Sequence, residues 1–136
     1  MRNKNTSLDQ LIMQLENYLE CLKQFNYFIN LARLKKFSGE DENQFLEVKS
    51  VLVQELELIL SSVECPSPTK EEVLALISSA PSVRYLSEMP DGVIRGLENQ
   101  WHKIFIGWVS ILGQIKVQQR NGDSRRSFPL FGKKKE

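Results

Sequence analysis

Apolar residues recur along three long stretches of this chain at alternating steps of three and four, the spacing that stacks side chains on one side of an α-helix. The first stretch is Leu8, Ile12, Leu15, Leu19, Leu22 and Ile29, widened by Leu11, Tyr18, Phe25 and Phe28 and continued by Leu34 and Phe37. Ser7 and Gln10 stand at capping-box spacing ahead of it and Ser38-Gly39 follows, which predicts a helix over about 8–36 that ends at a left-handed Gly39. The second stretch, Phe45, Val48, Leu52, Leu56, Ile59 and Val63, predicts a helix over about 41–62 capped by Ser38 or Asp41. So short a connection folds the two back on each other as an antiparallel hairpin.

Pro66 and Pro68 each remove a backbone donor and disfavour helix in the residue before them, so Val63 to Pro68 reads as a loop. Thr69-Lys70-Glu71-Glu72 is a capping box that opens a short helical insertion over about 70–88, broken at Pro81. Pro90-Asp91-Gly92 is a turn, with Asp91 placed to cap a last helix over about 92–118. The fold class is therefore all-α: three long helices, a short helical insertion and a basic C-terminal tail. Residues 1–119 form the bundle and 120–136 the flexible tail.

The last helix is the most apolar segment. Ile94, Leu97, Trp101, Ile104, Trp108, Ile111 and Ile115 make an unbroken heptad stripe, Phe105, Val109 and Leu112 make a second beside it, and Ile106 and Val117 reach a third side. No charge occurs between Lys103 and Lys116, yet 12 helical residues cover only about 18 Å against a hydrocarbon thickness of about 30 Å, so no transmembrane segment is expected. A helix apolar on most of its circumference has to be enclosed, which makes it the expected central strut of the bundle, with part of the stripe left for a partner or a second copy. Gly107 and Gly113 would allow close backbone approach on one side.

Composition changes this picture little. The 136 residues are 41% hydrophobic and 26% charged, which excludes wholesale disorder and a polytopic membrane protein. The net charge of +1 hides an asymmetry: residues 120–136 carry six basic and two acidic groups, so a body of net charge −3 ends in a tail of +4. The polar interruptions after the N-terminus leave no signal-type apolar run, and Cys21 and Cys65 lack CxxC spacing, so a reducing cytoplasm is the expected location. The tail also holds Phe128, Leu130 and Phe131 beside Arg125 and Arg126, apolar anchors flanked by charge that suit docking to a protein.

Candidate chemistry is sparse. Glycine-rich phosphate loops, HExxH and GxSxG are missing, one histidine gives zinc no ordinary ligand set, and no cofactor or metal is expected. Arg95 and His102 lie seven apart, two helical turns, so both can face one groove and act on an RNA backbone. Their spacing resembles the arginine, four-to-six residues, histidine motif of HEPN-type ribonucleases, and the resemblance covers the eight residues from Arg95 to His102 and the coarse helical architecture. That resemblance implies a small helical dimer with Arg95 and His102 as catalytic residues, although Gly96 stands where that family usually has a polar residue.

The sequence thus favours a non-enzymatic interaction module, a self-associating adaptor or small subunit of a larger assembly. It would use Trp101, Phe105, Trp108 and Leu112 on the last helix, and Arg125, Arg126, Phe128, Leu130 and Phe131 in the tail. The alternative is an RNA-directed protein, with nucleic acid in place of a protein partner and Arg95 and His102 as its chemistry.

Overall fold

The computed structural model describes residues 4–63 and 67–121, with side chains from residue 8 onward. They form five helices in chain order: α1 (Lys4–Leu34), α2 (Gly39–Ser62), α3 (Lys70–Ser78), α4 (Val83–Ser87) and α5 (Asp91–Asn121). The all-α class with three long helices is as expected, and the insertion is broken at Pro81 into two short helices, as its sequence predicts. Helix α1 begins ahead of Ser7, which lies inside the helix and not at its cap; neither glycine nor proline precedes it to stop the backbone continuing.

The hairpin turns differently from expectation. Helix α1 ends at Leu34, and the left-handed residue is Lys35 (φ 57°), not Gly39. The Lys35 N–H donates to the Ala32 carbonyl at 3.0 Å and the Lys36 N–H to Leu31 at 3.1 Å, the paired bonds that satisfy a helix's last carbonyls. The Lys35 ammonium reaches the Ser87 carbonyl at the end of α4, a tertiary contact at the position a glycine would ordinarily take. Gly39 instead opens α2, whose cap is Ser38: its hydroxyl accepts from the Asp41 N–H at 3.2 Å, and its own N–H donates to the Asp41 carboxylate at 2.9 Å. Asp41 is therefore the far half of the box rather than the cap.

Thr69 and Glu72 close the expected box on α3, with bonds of 3.1 and 2.8 Å. The Thr69 N–H holds the Glu72 carboxyl below the usual glutamate range. Helix α2 then fixes the elbow between α3 and α4 from both sides. The Lys49 ammonium donates to the carbonyls of Ala80 and Pro81 at 2.8 and 2.9 Å, and the Glu42 carboxylate accepts from the N–H groups of Val83 and Arg84 at 2.9 and 2.8 Å. Both pairings satisfy backbone groups that a helix end leaves open.

The central element is α1, not α5. Leu15, Tyr18, Leu19, Leu22, Phe25, Phe28, Ile29 and Ala32 are buried and spread over about half the circumference of α1 at 100° per residue. This lets α1 pack against α2, α4 and α5 together, whereas α2 and α5 are not a packed pair and α3 lies against both. The bulky second row Tyr18, Phe25 and Phe28 makes the difference, because it reaches α2 while the Leu15–Leu22 row faces α5. Phe45 of α2 sits between the rings of Phe25 and Phe28, at centroid distances of 5.3 and 5.5 Å. Tyr18 serves both sides: its hydroxyl donates to the Leu52 carbonyl of α2 at 2.8 Å, and its ring meets Trp108 of α5 edge-on at 5.8 Å.

Of the four glycines in α5, one is at a close approach. A Cβ at Gly107 would lie 2.9 Å from Cδ of Pro68, whereas Gly113 has nothing within 4 Å. Pro68 is a rigid ring tied to its own backbone and cannot swing aside. Gly107→Ala should therefore lower stability despite removing a helix-weakening glycine, while Gly113→Ala should raise it by about 1 kcal/mol; thermal denaturation of the two variants in dilute solution reads the opposite signs. Burial first, then the nearby Cys21 and Glu55, pushes the Tyr18 phenol well above the ordinary tyrosine range. The unfolded chain ionises Tyr18 near pH 10, so the stability from holding it neutral is whole below about pH 10 and is lost as pH rises further. Tyr18→Phe should cost about 1 kcal/mol at neutral pH and flatten that alkaline decline in denaturant titrations.

Candidate interaction surface

Helix α5 buries one stripe, Ile94, Leu97, Ile104, Trp108, Ile111, Leu112 and Ile115. Of the residues expected to meet a partner, Trp108 is fully enclosed and Leu112 is 8% exposed, so the core of this chain already takes both. The Trp108 indole N–H has no hydrogen-bond partner among the described residues, the cost of putting a donor against α1 rather than at the surface. Trp101 is half-buried: its indole N–H donates to the Leu22 carbonyl at 2.7 Å, and Phe105, also half-buried, stacks on its ring at 4.8 Å with 16° between planes. These two cover the edge of the α1–α5 contact.

What α5 leaves in water is a different set. Ile106 is 49% exposed, Val109 40% and Val117 41%, and with Gly113 they follow one another at steps of three and four along the side away from α1. This outer face has no charge for three turns. Its residues lie off the phase of the heptad stripe, which is the sequence signal that separates them from the core: the stripe on α5 identifies what α1 covers, and the surplus beside it identifies what no described residue covers. Arg125, Arg126, Phe128, Leu130 and Phe131 lie outside the described residues.

Arg95 and His102 are both exposed on α5. The Arg95 guanidinium is paired with Asp91, one turn toward the helix start, while His102 lies two turns the other way. Asp91 had been expected as the cap, but the N–H groups of Val93 and Ile94 go to the Pro90 carbonyl, which makes Asp91 the first helical residue with its carboxylate free for other partners. Arg33 of α1 joins the same cluster, 3.6 Å from Asp91 and 2.6 Å from Glu98. Arg95 thus belongs to an ion network that ties the end of α1 to the start of α5. Burial pushes the Cys21 thiol up, which disfavours the thiolate a nucleophile would need.

Among the described residues no group of histidine, cysteine or carboxylate side chains is placed to hold a metal ion, and no helix is long and apolar enough to cross a membrane. Comparison with known protein families, with curated proteins and with solved structures gives no match.

Within the ion network Arg33 matters most, because it alone joins the two helices by reaching both Asp91 and Glu98, whereas single exposed pairs contribute little. Arg33→Met should destabilise by about 1 kcal/mol, whereas Arg95→Ala and His102→Ala should each change stability by less than about 0.5 kcal/mol, as read from chemical denaturation midpoints.

Proposed function

We propose that this chain is a non-enzymatic helical interaction module of the cytoplasm, a self-associating adaptor or small subunit of a larger assembly, that engages a protein through the outer face of α5. One observation carries the reading: Ile106, Val109 and Val117 stand 40–49% exposed on a helix face without charge, where covering them would remove apolar surface from water. Gly113 in the middle of that face adds no side chain, so a partner helix can approach its backbone closely. The basic tail, with Phe128, Leu130 and Phe131 between Arg125-Arg126 and the terminal lysines, continues from the end of the same helix and supplies a second set of apolar anchors with charge around them. Trp101 and Phe105 close the edge of the α1–α5 contact, while Trp108 and Leu112 hold α5 to the bundle.

The test is affinity capture from the source cells with the full chain, the double variant Ile106→Glu/Val109→Glu, and the chain ended at Asn121. The double variant should lose the protein partner while keeping its melting temperature, the shortened chain should bind less, and high salt should leave the wild-type interaction largely intact. A nucleic-acid partner behaves differently, because phosphate contacts release counterions and weaken steeply with salt. Salt-labile binding that survives the double variant but not ribonuclease treatment would replace this reading with an RNA-directed one.

A further inference from the structure

The outer face of α5 has two halves that match. At 100° per residue His102, Ile106, Val109, Gly113, Val117 and Arg120 fall within about 80° of one another, a strip about 27 Å long on the side away from α1. All six are exposed. The lysines beside the strip are turned off it to opposite sides, Lys103 toward Glu72 of α3 at 3.9 Å and Lys116 toward Glu16 of α1 at 3.0 Å. From Ile106 to Val117 the strip is therefore uncharged, and two such strips can close on each other without desolvating an ammonium or a carboxylate.

Reversed end for end, the strip complements itself. About a centre at residue 111, an antiparallel second copy brings its Val117 over Ile106, its Gly113 over Val109 and its Arg120 over His102, each level to within one residue, about 1.5 Å. A two-fold axis repeats all three pairs, as a closed contact between identical faces requires. Val109 projects where Gly113 of the other copy carries no side chain, and a Cβ at Gly113 would meet no atom within 4 Å, so two valines fill two gaps. At each end an imidazole nitrogen of His102 stands ready to accept from the Arg120 guanidinium of the other copy. A face suited to an unrelated protein needs no relation between its two ends. Here Val109 answers Gly113, and Ile106 answers Val117, about one centre.

We propose that the occupant of the α5 outer face is the same face of a second copy of this chain, laid antiparallel across a two-fold axis at residue 111. The proposal rests on the reading of α5 as an interaction surface and names its partner. Identical faces use each other up, so the assembly closes at the dimer. Ile106, Val109 and Val117 are the apolar side chains each copy contributes, which puts the contact at the small end of specific interfaces, below about 1,200 Å², and dilution separates the copies.

Sedimentation of the full chain at concentrations up to about 1 mM should show monomer passing to dimer and no further. Ile106→Glu, checked for an unchanged melting temperature, should stay monomeric. Gly113→Leu is the sharper variant, because it adds apolar surface that would strengthen indiscriminate association yet fills the gap that Val109 of the other copy needs; it too should stay monomeric. The exchange Val109→Ala/Gly113→Val moves the gap and its filler together and should dimerise again. A wild-type chain that is monomeric at every concentration overturns the proposal, as do species beyond the dimer, a Gly113→Leu chain that dimerises as well as the wild type, or an exchange variant that remains monomeric. A monomeric wild-type chain whose partner capture still depends on Ile106 and Val109 would end self-pairing alone and leave the interaction-module reading standing.

Discussion

The fold depends on α1 being enclosed from two sides, and Tyr18 is where the two sides meet. Its ring edge lies on Trp108 and its hydroxyl bonds the α2 backbone, so a single side chain sets the separation of the helices that flank it. A leucine at this position would fill space against α5 but could not reach the Leu52 carbonyl. A shorter polar residue would reach neither. Burial of Phe25, Phe28 and Phe45 extends the same arrangement along the hairpin, where large rings rather than aliphatic interdigitation fill the seam.

Enclosing α1 decides what remains for α5. A peripheral helix covers one stripe and returns the rest of its circumference to water, and here that remainder is apolar at Ile106, Val109 and Val117. The solvent side of a helix ordinarily carries charge, and even the enclosed α1 does so on its free side at Glu16, Glu20 and Lys23. The interval between Lys103 and Lys116 breaks that habit, and no described residue covers the apolar groups it leaves outside.

Much of the architecture was legible in the order of residues. A cap at Ser38 or Asp41, the box at Thr69-Glu72, the prolines that end segments and the three-four periodicity all act locally, so reading them needs no knowledge of the packing. What could not be read was which long helix is central. Apolar content pointed to α5, but content does not report shape: the aromatic second row of α1 reaches farther than the isoleucines of α5, and reach determines how many neighbours a helix can hold. Trp108 and Leu112 illustrate the consequence for the site, since a stripe read as surplus is surplus only once its neighbour has been chosen. Lys35 is the remaining case; a left-handed lysine is explained by a carbonyl of α4, 52 positions on, that no local pattern announces.

The hold of α2 on the α3–α4 elbow has a bearing on how the chain tolerates change. At the elbow Glu42 and Lys49 grip main-chain atoms, so the course of residues 80–84 is dictated by a neighbouring helix and leaves the exposed Tyr85 unrestricted as to kind, while the Arg84 guanidinium stands over the Phe37 ring. New side chains could be installed there, for a label or a graft, with the bend preserved, provided the amides of Val83 and Arg84 keep their hydrogens and proline is kept away from those two places.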